Sequence, residues 1–124
     1  MSGAEALDRI SDKESVDNIR ELTRVFVDKL RPEKVILFGS FASGAYSEES
    51  DFDFYIVIED GRNVTETAKE AYRASIEVKT RPVDIVVGTN SRFELKRKAD
   101  YSLMVEGEVE RNGILLYDRD EIVA

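Results

Sequence analysis

Two apolar runs, Val35-Ile36-Leu37-Phe38 and Tyr55-Ile56-Val57-Ile58, constrain this chain most, because polar residues interrupt each at one end. Gly39-Ser40 follows the first run directly, and ten residues later Asp51-Phe52-Asp53 leads towards the second. Short apolar runs rich in β-branched and aromatic residues suit the middle of a sheet. Side chains alternate along a strand, so Asp51, Asp53, Tyr55 and Val57 share one face, and Phe52, Phe54, Ile56 and Ile58 the other. Two carboxylates therefore point the same way at the head of one strand, where they can share divalent cations. A small turn ends the other strand and can hold phosphate oxygens through backbone N–H groups. Phosphate donors and metal carboxylates one strand apart equip a chain for chemistry on a nucleoside triphosphate.

The remaining sequence supplies one domain's worth of elements. Ser11 and Glu14 have the spacing of a capping box, which predicts a helix over 11–30 with Val16, Ile19, Phe26, Val27 and Leu30 inward and Pro32 as its stop. Residues 39–44 fit a single helical turn, and 45–50 a loop. Asn63 and Glu66 cap a second helix to about Lys79, with Val64, Ala68, Ala71, Tyr72, Ser75 and Ile76 inward. A third strand covers Val83 to Val87 and closes at Gly88. Helical sequence then starts at Ser91, breaks near Asp100 and continues to Asn112, before a last strand over 114–117. This order predicts an α/β (α+β) fold in which helices pack on a small mixed sheet. A single domain over 1–124 is expected, with residues 1–10 loose for want of any pattern.

Composition removes most competing chemistries. The chain has no cysteine and no histidine, which excludes thiolate metal sites, serine–histidine nucleophile activation and most zinc centres. Carboxylates, hard metals, hydroxyls and backbone groups remain. The net charge of −8 opposes binding to duplex nucleic acid and favours a basic protein partner. The stretch from Arg92 to Lys98 is basic, but in so acidic a chain it reads as a solvated helix face. No apolar run approaches the roughly 20 residues of a membrane helix, and no apolar leader opens the sequence, so a cytoplasmic location is expected.

Asp84 interrupts the otherwise apolar third strand. A carboxylate in such a run is costly to bury unless it is paired or bound to metal. If the second and third strands are neighbours, Asp84 joins Asp51 and Asp53 in a three-carboxylate cluster. The mutual repulsion of such a cluster is relieved by a divalent cation. Mg²⁺ prefers oxygen ligands and keeps positions open for phosphates. Two such ions about 4 Å apart can stabilise both the attacking and the leaving oxygen of an in-line displacement. Gly39 permits close approach of backbone to phosphate, and the Ser40 hydroxyl adds a donor.

The stretch from Gly39-Ser40-Phe41-Ala42-Ser43-Gly44 through Ser50-Asp51-Phe52-Asp53 resembles the nucleotidyltransferase superfamily that includes DNA polymerase beta. It is most similar to the minimal nucleotidyltransferase (MNT) branch, which carries Gly-Ser, a ten-residue gap, Asp-x-Asp and a third acid on a later strand. The resemblance extends over about Val16 to Asp118. It implies that Gly39 and Ser40 hold the triphosphate of ATP, that Asp51 and Asp53 ligate Mg²⁺, and that Asp84 helps bind a second ion and activates the acceptor hydroxyl. It also implies transfer of AMP from ATP with release of pyrophosphate. Many MNT domains are antitoxins paired with HEPN-domain toxins, and some place AMP on a toxin tyrosine.

The sequence departs from that pattern in places. Ser43 stands where many relatives have Arg or Lys, which leaves Arg62, Lys69 and Arg73 as alternative sources of a phosphate-neutralising cation. Phe52 and Phe54 replace aliphatic residues beside the acids, and Tyr46 lies in the loop between the motifs as a candidate nucleotide contact. A contrasting expectation is a non-catalytic acidic antitoxin or adaptor that neutralises a basic protein by covering it.

Overall fold

The computed structural model describes residues 6–98 and 104–121. In chain order its elements are α1 (Lys13–Leu30), β1 (Lys34–Phe38), α2 (Gly39–Ser43), β2 (Phe52–Ile58), α3 (Val64–Ser75), β3 (Val83–Thr89), α4 (Asn90–Lys98), α5 (Val105–Asn112) and β4 (Ile114–Asp118), followed by a 3₁₀ turn, Arg119–Glu121. The four strands form one mixed sheet in the order β3-β2-β1-β4. β1 is antiparallel to both β2 and β4, and β2 is parallel to β3 through the α3 crossover. The expected mixed α/β architecture is present.

Burial on both sides explains why β2 reads as a nearly continuous apolar run. Phe52, Phe54, Ile56 and Ile58 pack into the main core with Ile19, Leu22, Phe26 and Leu30 of α1 and Ala71 of α3. Tyr55 and Val57 enter a second core with Ile36 and Phe38 of β1, Phe93 of α4 and Val109 of α5. A fully buried large apolar side chain contributes about 2 kcal/mol. Asp53 is the one position of β2 that is not buried, so the strand is fixed on every side except where its carboxylate emerges.

Local signals set most boundaries. Arg31 ends α1 in the left-handed conformation (φ 47°), with its N–H donating to the Val27 carbonyl, and Pro32 prevents continuation. Asn63 caps α3 as its spacing predicts, its Oδ1 accepting from the Glu66 N–H at 2.9 Å.

Other expectations are corrected. The capping box at Ser11 does not form. Helix α1 starts at Lys13 after Asp12, whose carboxylate accepts from the Ser15 hydroxyl at 2.7 Å, while Ser11 bonds the Tyr46 hydroxyl through its N–H (3.1 Å) and its own hydroxyl (2.8 Å). A distant partner has displaced the local cap. Ala6, Leu7 and Ile10 are buried in the main core, so the described part of the N-terminal segment is packed rather than loose. Helix α3 ends at Ser75 rather than near Lys79, leaving Ile76 79% exposed. Tyr72 is only partly covered because its hydroxyl serves β3, accepting from the Ile85 N–H at 3.0 Å. Strand β3 continues through Gly88 to Thr89. The break expected near Asp100 lies outside the described residues. No described helix is long and apolar enough to cross a membrane.

Candidate functional site

The antiparallel ladder pairs Phe38 with Asp53, so the turn leaving β1 lies beside the start of β2. Gly39 takes φ 75°, and a Cβ placed there would lie 2.1 Å from Asp53 Oδ2. Only glycine satisfies both the backbone angle and the space. The chain then makes the short helix α2, anchored by the buried Phe41, and leaves it at Gly44 (φ 89°), whose N–H donates to the Ser40 carbonyl at 3.0 Å. The helical turn expected after Gly39-Ser40 is therefore present, with Gly39 against the Asp53 carboxylate.

On the other side of β2, the parallel ladder pairs Asp53 with Asp84. Register neighbours share a face, so the strand adjacency required by the sequence argument is met. Strand β3 forms one border of the described sheet, and Asp84 is exposed there. Asp51 precedes β2 by one residue and is half-buried. The structure adds an acid that the sequence reading did not single out: Glu108 of α5 accepts a hydrogen bond from the Gly39 N–H at 2.9 Å.

Asp53 carries the electrostatic signature of this arrangement. Its pKa is raised from 3.8 to about 6, first by burial, then by the charges of Asp84, Asp51 and Glu108, and by a hydrogen bond with Asp84. Burial and crowded negative charge both act in this direction. The donor set fits a hard divalent ion, because the side chains are carboxylates and the sequence holds no histidine or cysteine. Among the described residues no three acids form a ready-made cage for an ion. The three-carboxylate ion site expected of Asp51, Asp53 and Asp84 is therefore not assembled here, although Asp53 and Asp84 are paired across the ladder.

Arg81, also absent from the sequence reading, shapes the loop that delivers Asp51. Its Nη1 donates to the carbonyls of Ser50 (2.8 Å), Ser47 (3.2 Å) and Glu48 (3.4 Å). Its guanidinium lies 4.8 Å from the centre of the Phe41 ring and 5.5 Å from that of Phe52. This gives Phe52 a purpose that an aliphatic residue would not serve, while Phe54 meets Phe26 edge-on at 5.2 Å. Tyr46 stacks on Phe41 at 4.5 Å with its hydroxyl on Ser11, so it ties the loop to the N-terminal segment. Of the cations considered in place of Ser43, Arg62 is engaged by Glu59 (3.3 Å) and the Arg31 carbonyl, and Lys69 by Glu66 (3.6 Å).

Behind the site, Glu106 is 1% exposed and accepts from the Tyr55 hydroxyl at 2.7 Å and from Arg92 Nε at 3.1 Å. Burial alone would raise its pKa, but the Tyr55 hydroxyl, the residue's own backbone N–H and Arg92 outweigh it and hold the carboxyl below its usual value. A Cβ at Gly88 would lie 2.2 Å from the Tyr55 hydroxyl, so that glycine leaves room for the phenol. The clamp fixes α5, and with it Glu108, against the sheet.

A mixed sheet that sets a Gly-Ser turn beside paired aspartates on neighbouring strands defines a nucleotidyl-transfer type of domain. The chain belongs to the nucleotidyltransferase domain family, which it matches over residues 19–115. It is 40% identical over 50 residues to a "putative protein adenylyltransferase" of Methanocaldococcus jannaschii, an alignment covering 40% of this chain and 48% of that protein. The match thus spans about half the length of the curated relative. A crystal structure of a "putative nucleotidyltransferase" from Sulfolobus solfataricus superposes with a TM-score of 0.60 at 20% identity, covering 98% of this chain and 91% of that one, and so shares its fold. A toxin–antitoxin structure with AMP-PNP is a looser likeness, with a TM-score of 0.49 at 23% identity over 82% of this chain and 72% of that one.

Proposed function

We propose that this chain is a Mg²⁺-dependent nucleotidyltransferase that moves AMP from ATP to a hydroxyl group, and that the acceptor is a tyrosine of a HEPN-type toxin, which would make the chain an antitoxin. The observation that carries the reading is the Asp53–Asp84 pair beside a glycine whose missing side chain leaves room for the Asp53 carboxylate. Family membership supports nucleotidyl transfer. The relative named as a protein adenylyltransferase supports AMP as the group moved and a protein as the acceptor. The toxin partner rests on the motif resemblance and on the net charge of −8, which favours a basic protein surface.

In this reading the Gly39 N–H and the N–H and hydroxyl of Ser40 bind triphosphate oxygens. Asp51, Asp53 and Asp84 would hold Mg²⁺, with two ions expected. Bound there, Mg²⁺ would supply charge compensation for the triphosphate and for the departing pyrophosphate. Asp84 is exposed at the sheet border, where an acceptor arriving from solvent can reach it, and it takes the proton of the attacking hydroxyl. The acceptor oxygen bonds to the α-phosphorus, the bond from that phosphorus to the oxygen bridging towards the β-phosphate breaks, and pyrophosphate leaves.

Incubation with Mg²⁺, a candidate partner and ATP labelled in either the α- or the γ-phosphate tests the proposal. Label from the α-phosphate should become protein-bound and label from the γ-phosphate should not. Asp53→Asn should lower transfer by about a hundredfold or more while the far-ultraviolet circular dichroism stays unchanged. Undiminished transfer by that variant overturns the metal assignment. The net charge of −8, which suits a basic partner surface, favours a second reading, in which the chain neutralises its partner by covering it. An Asp51→Ala/Asp53→Ala variant that binds the partner and still neutralises it would select that reading.

A further inference from the structure

The Gly39 N–H, a phosphate donor in the proposed function, is already engaged. Glu108 Oε2 accepts its hydrogen at 2.9 Å across 69 positions of sequence. An amide hydrogen directed at a carboxylate oxygen at that distance cannot also serve a phosphate oxygen. The carboxylate resembles a phosphate in charge and in acceptor geometry, and it occupies the donor that the proposed function assigns to the triphosphate. Glu108 is also placed with little freedom. Two residues before it on the same helix, Glu106 is buried and clamped by Tyr55 and Arg92. Helix α5 then ends at Gly113, whose N–H donates to the Val109 carbonyl at 2.8 Å, and a Cβ there would lie 2.4 Å from that carbonyl oxygen. A helix held at both ends presents Glu108 to Gly39 as a fixture.

We propose that Glu108 is a built-in competitor for phosphate, which keeps the Gly39 N–H occupied and so makes nucleotide entry depend on a divalent cation. Resting on the proposed function, this reading adds a regulatory role for α5. Metal-free ATP brings further negative charge to a place where Asp51, Asp53, Asp84 and Glu108 already repel one another. It must also displace Glu108 from its donor without any new partner for the carboxylate. An accompanying cation removes both obstacles, since it offsets the acids and attracts the released carboxylate. The site thereby discriminates against free nucleotide and free pyrophosphate through a side chain of its own.

Calorimetric titration of wild type, Glu108→Gln and Glu108→Ala with ATP and with inorganic triphosphate, each in EDTA and in Mg²⁺, tests this. Glu108→Ala should bind both ligands about ten- to a hundredfold more tightly than wild type in EDTA, with a much smaller gain in Mg²⁺. Glu108→Gln keeps an acceptor but loses the charge and should fall between. The Gly39 amide resonance of ¹⁵N-labelled wild type should stay unmoved by triphosphate in EDTA and shift when Mg²⁺ is added, a readout that needs no variant. Equal gains with and without Mg²⁺, or no gain in EDTA, overturn this inference alone when wild type binds Mg-ATP. A wild type that takes no ATP even with Mg²⁺ overturns the proposed function and this inference together.

Discussion

Two carboxylates at the same face of β2 have opposite environments. Glu106 is almost fully buried, yet the Tyr55 hydroxyl and Arg92 Nε supply donors that hold it ionised below its usual pKa. Asp53 is only half-buried, yet burial and three neighbouring acids push its pKa up to about 6. Burial raises both pKa values; beside Glu106 the hydrogen-bond donors reverse that effect, whereas beside Asp53 the neighbouring acids add to it. Glu106 takes both donors on Oε2, leaves its buried Oε1 without a hydrogen-bond partner, and serves the architecture. Asp53 has been given like charges, which disfavour its ionised form. The two environments meet β2 only two residues apart, at Asp53 and at Tyr55, the partner of Glu106.

The contrast can be broken most sharply at Glu106. Glu106→Ala leaves the Tyr55 hydroxyl and Arg92 without their acceptor in a buried setting and should cost about 3 kcal/mol, lowering the melting temperature by roughly 10 °C. Glu106→Gln, which keeps an oxygen for Tyr55, should lose less. Thermal melts of the two variants decide it, and an alanine variant within about 2 °C of wild type would remove the structural role.

Asp53 should behave in the reverse sense. Its folded-state pKa is raised, so the folded chain holds this proton more tightly than the unfolded chain does. Its contribution to stability is then fullest below about 4, near the ordinary 3.8, and is lost as pH rises through about 6. Glu106, whose pKa is lowered, contributes above its ordinary 4.5 and loses that contribution as pH falls. Asp53→Asn should therefore melt close to wild type near pH 4 and roughly 5 °C above it at pH 7.5. A variant less stable than wild type at pH 7.5 would contradict the picture of an acid under repulsion.

The smallest effect is expected at Arg81, which contacts neither acid. Arg81→Ala removes donors from three loop carbonyls and a cation from above two rings, at about 1 kcal/mol. Hydrogen exchange should quicken over residues 47–50, while the Asp53–Asp84 ladder stays protected. Uniform acceleration across β2 would mean that Arg81 supports the strand and not merely the loop.

The strands were legible because alternation and apolar run length are local signals, whereas the adjacency of Asp53 and Asp84 was only a condition of the sequence argument, which the parallel ladder meets. The Asn63 cap was legible for the same reason, since donor and acceptor lie three residues apart. Contacts across long stretches of chain were not. Ser11 abandons its expected cap for Tyr46 at a separation of 35, and Glu108 reaches Gly39 at a separation of 69. Nothing near Glu108 distinguishes it from Glu106 or Glu110, because what matters is which helical position faces the turn. Arg81 was overlooked because its role is to satisfy carbonyls, a demand that a sequence does not display. Tyr72 and Ile76 followed the helical period of the apolar face, but α3 stops at Ser75 and Tyr72 turns its hydroxyl to β3.

The crossover between β2 and β3 also has a consequence for the order of assembly. Asp53 and Asp84 become neighbours only once the intervening helix has docked and closed a parallel pairing, a non-local event that is slow relative to hairpin formation. The last contributor, Glu108, comes later still from the ribosome. A chain that has formed only its first helix and the antiparallel β1–β2 pair holds Gly39, Asp51 and Asp53 but neither Asp84 nor Glu108. The acid cluster is thus a property of the finished molecule, and its completion marks the arrival of the native topology.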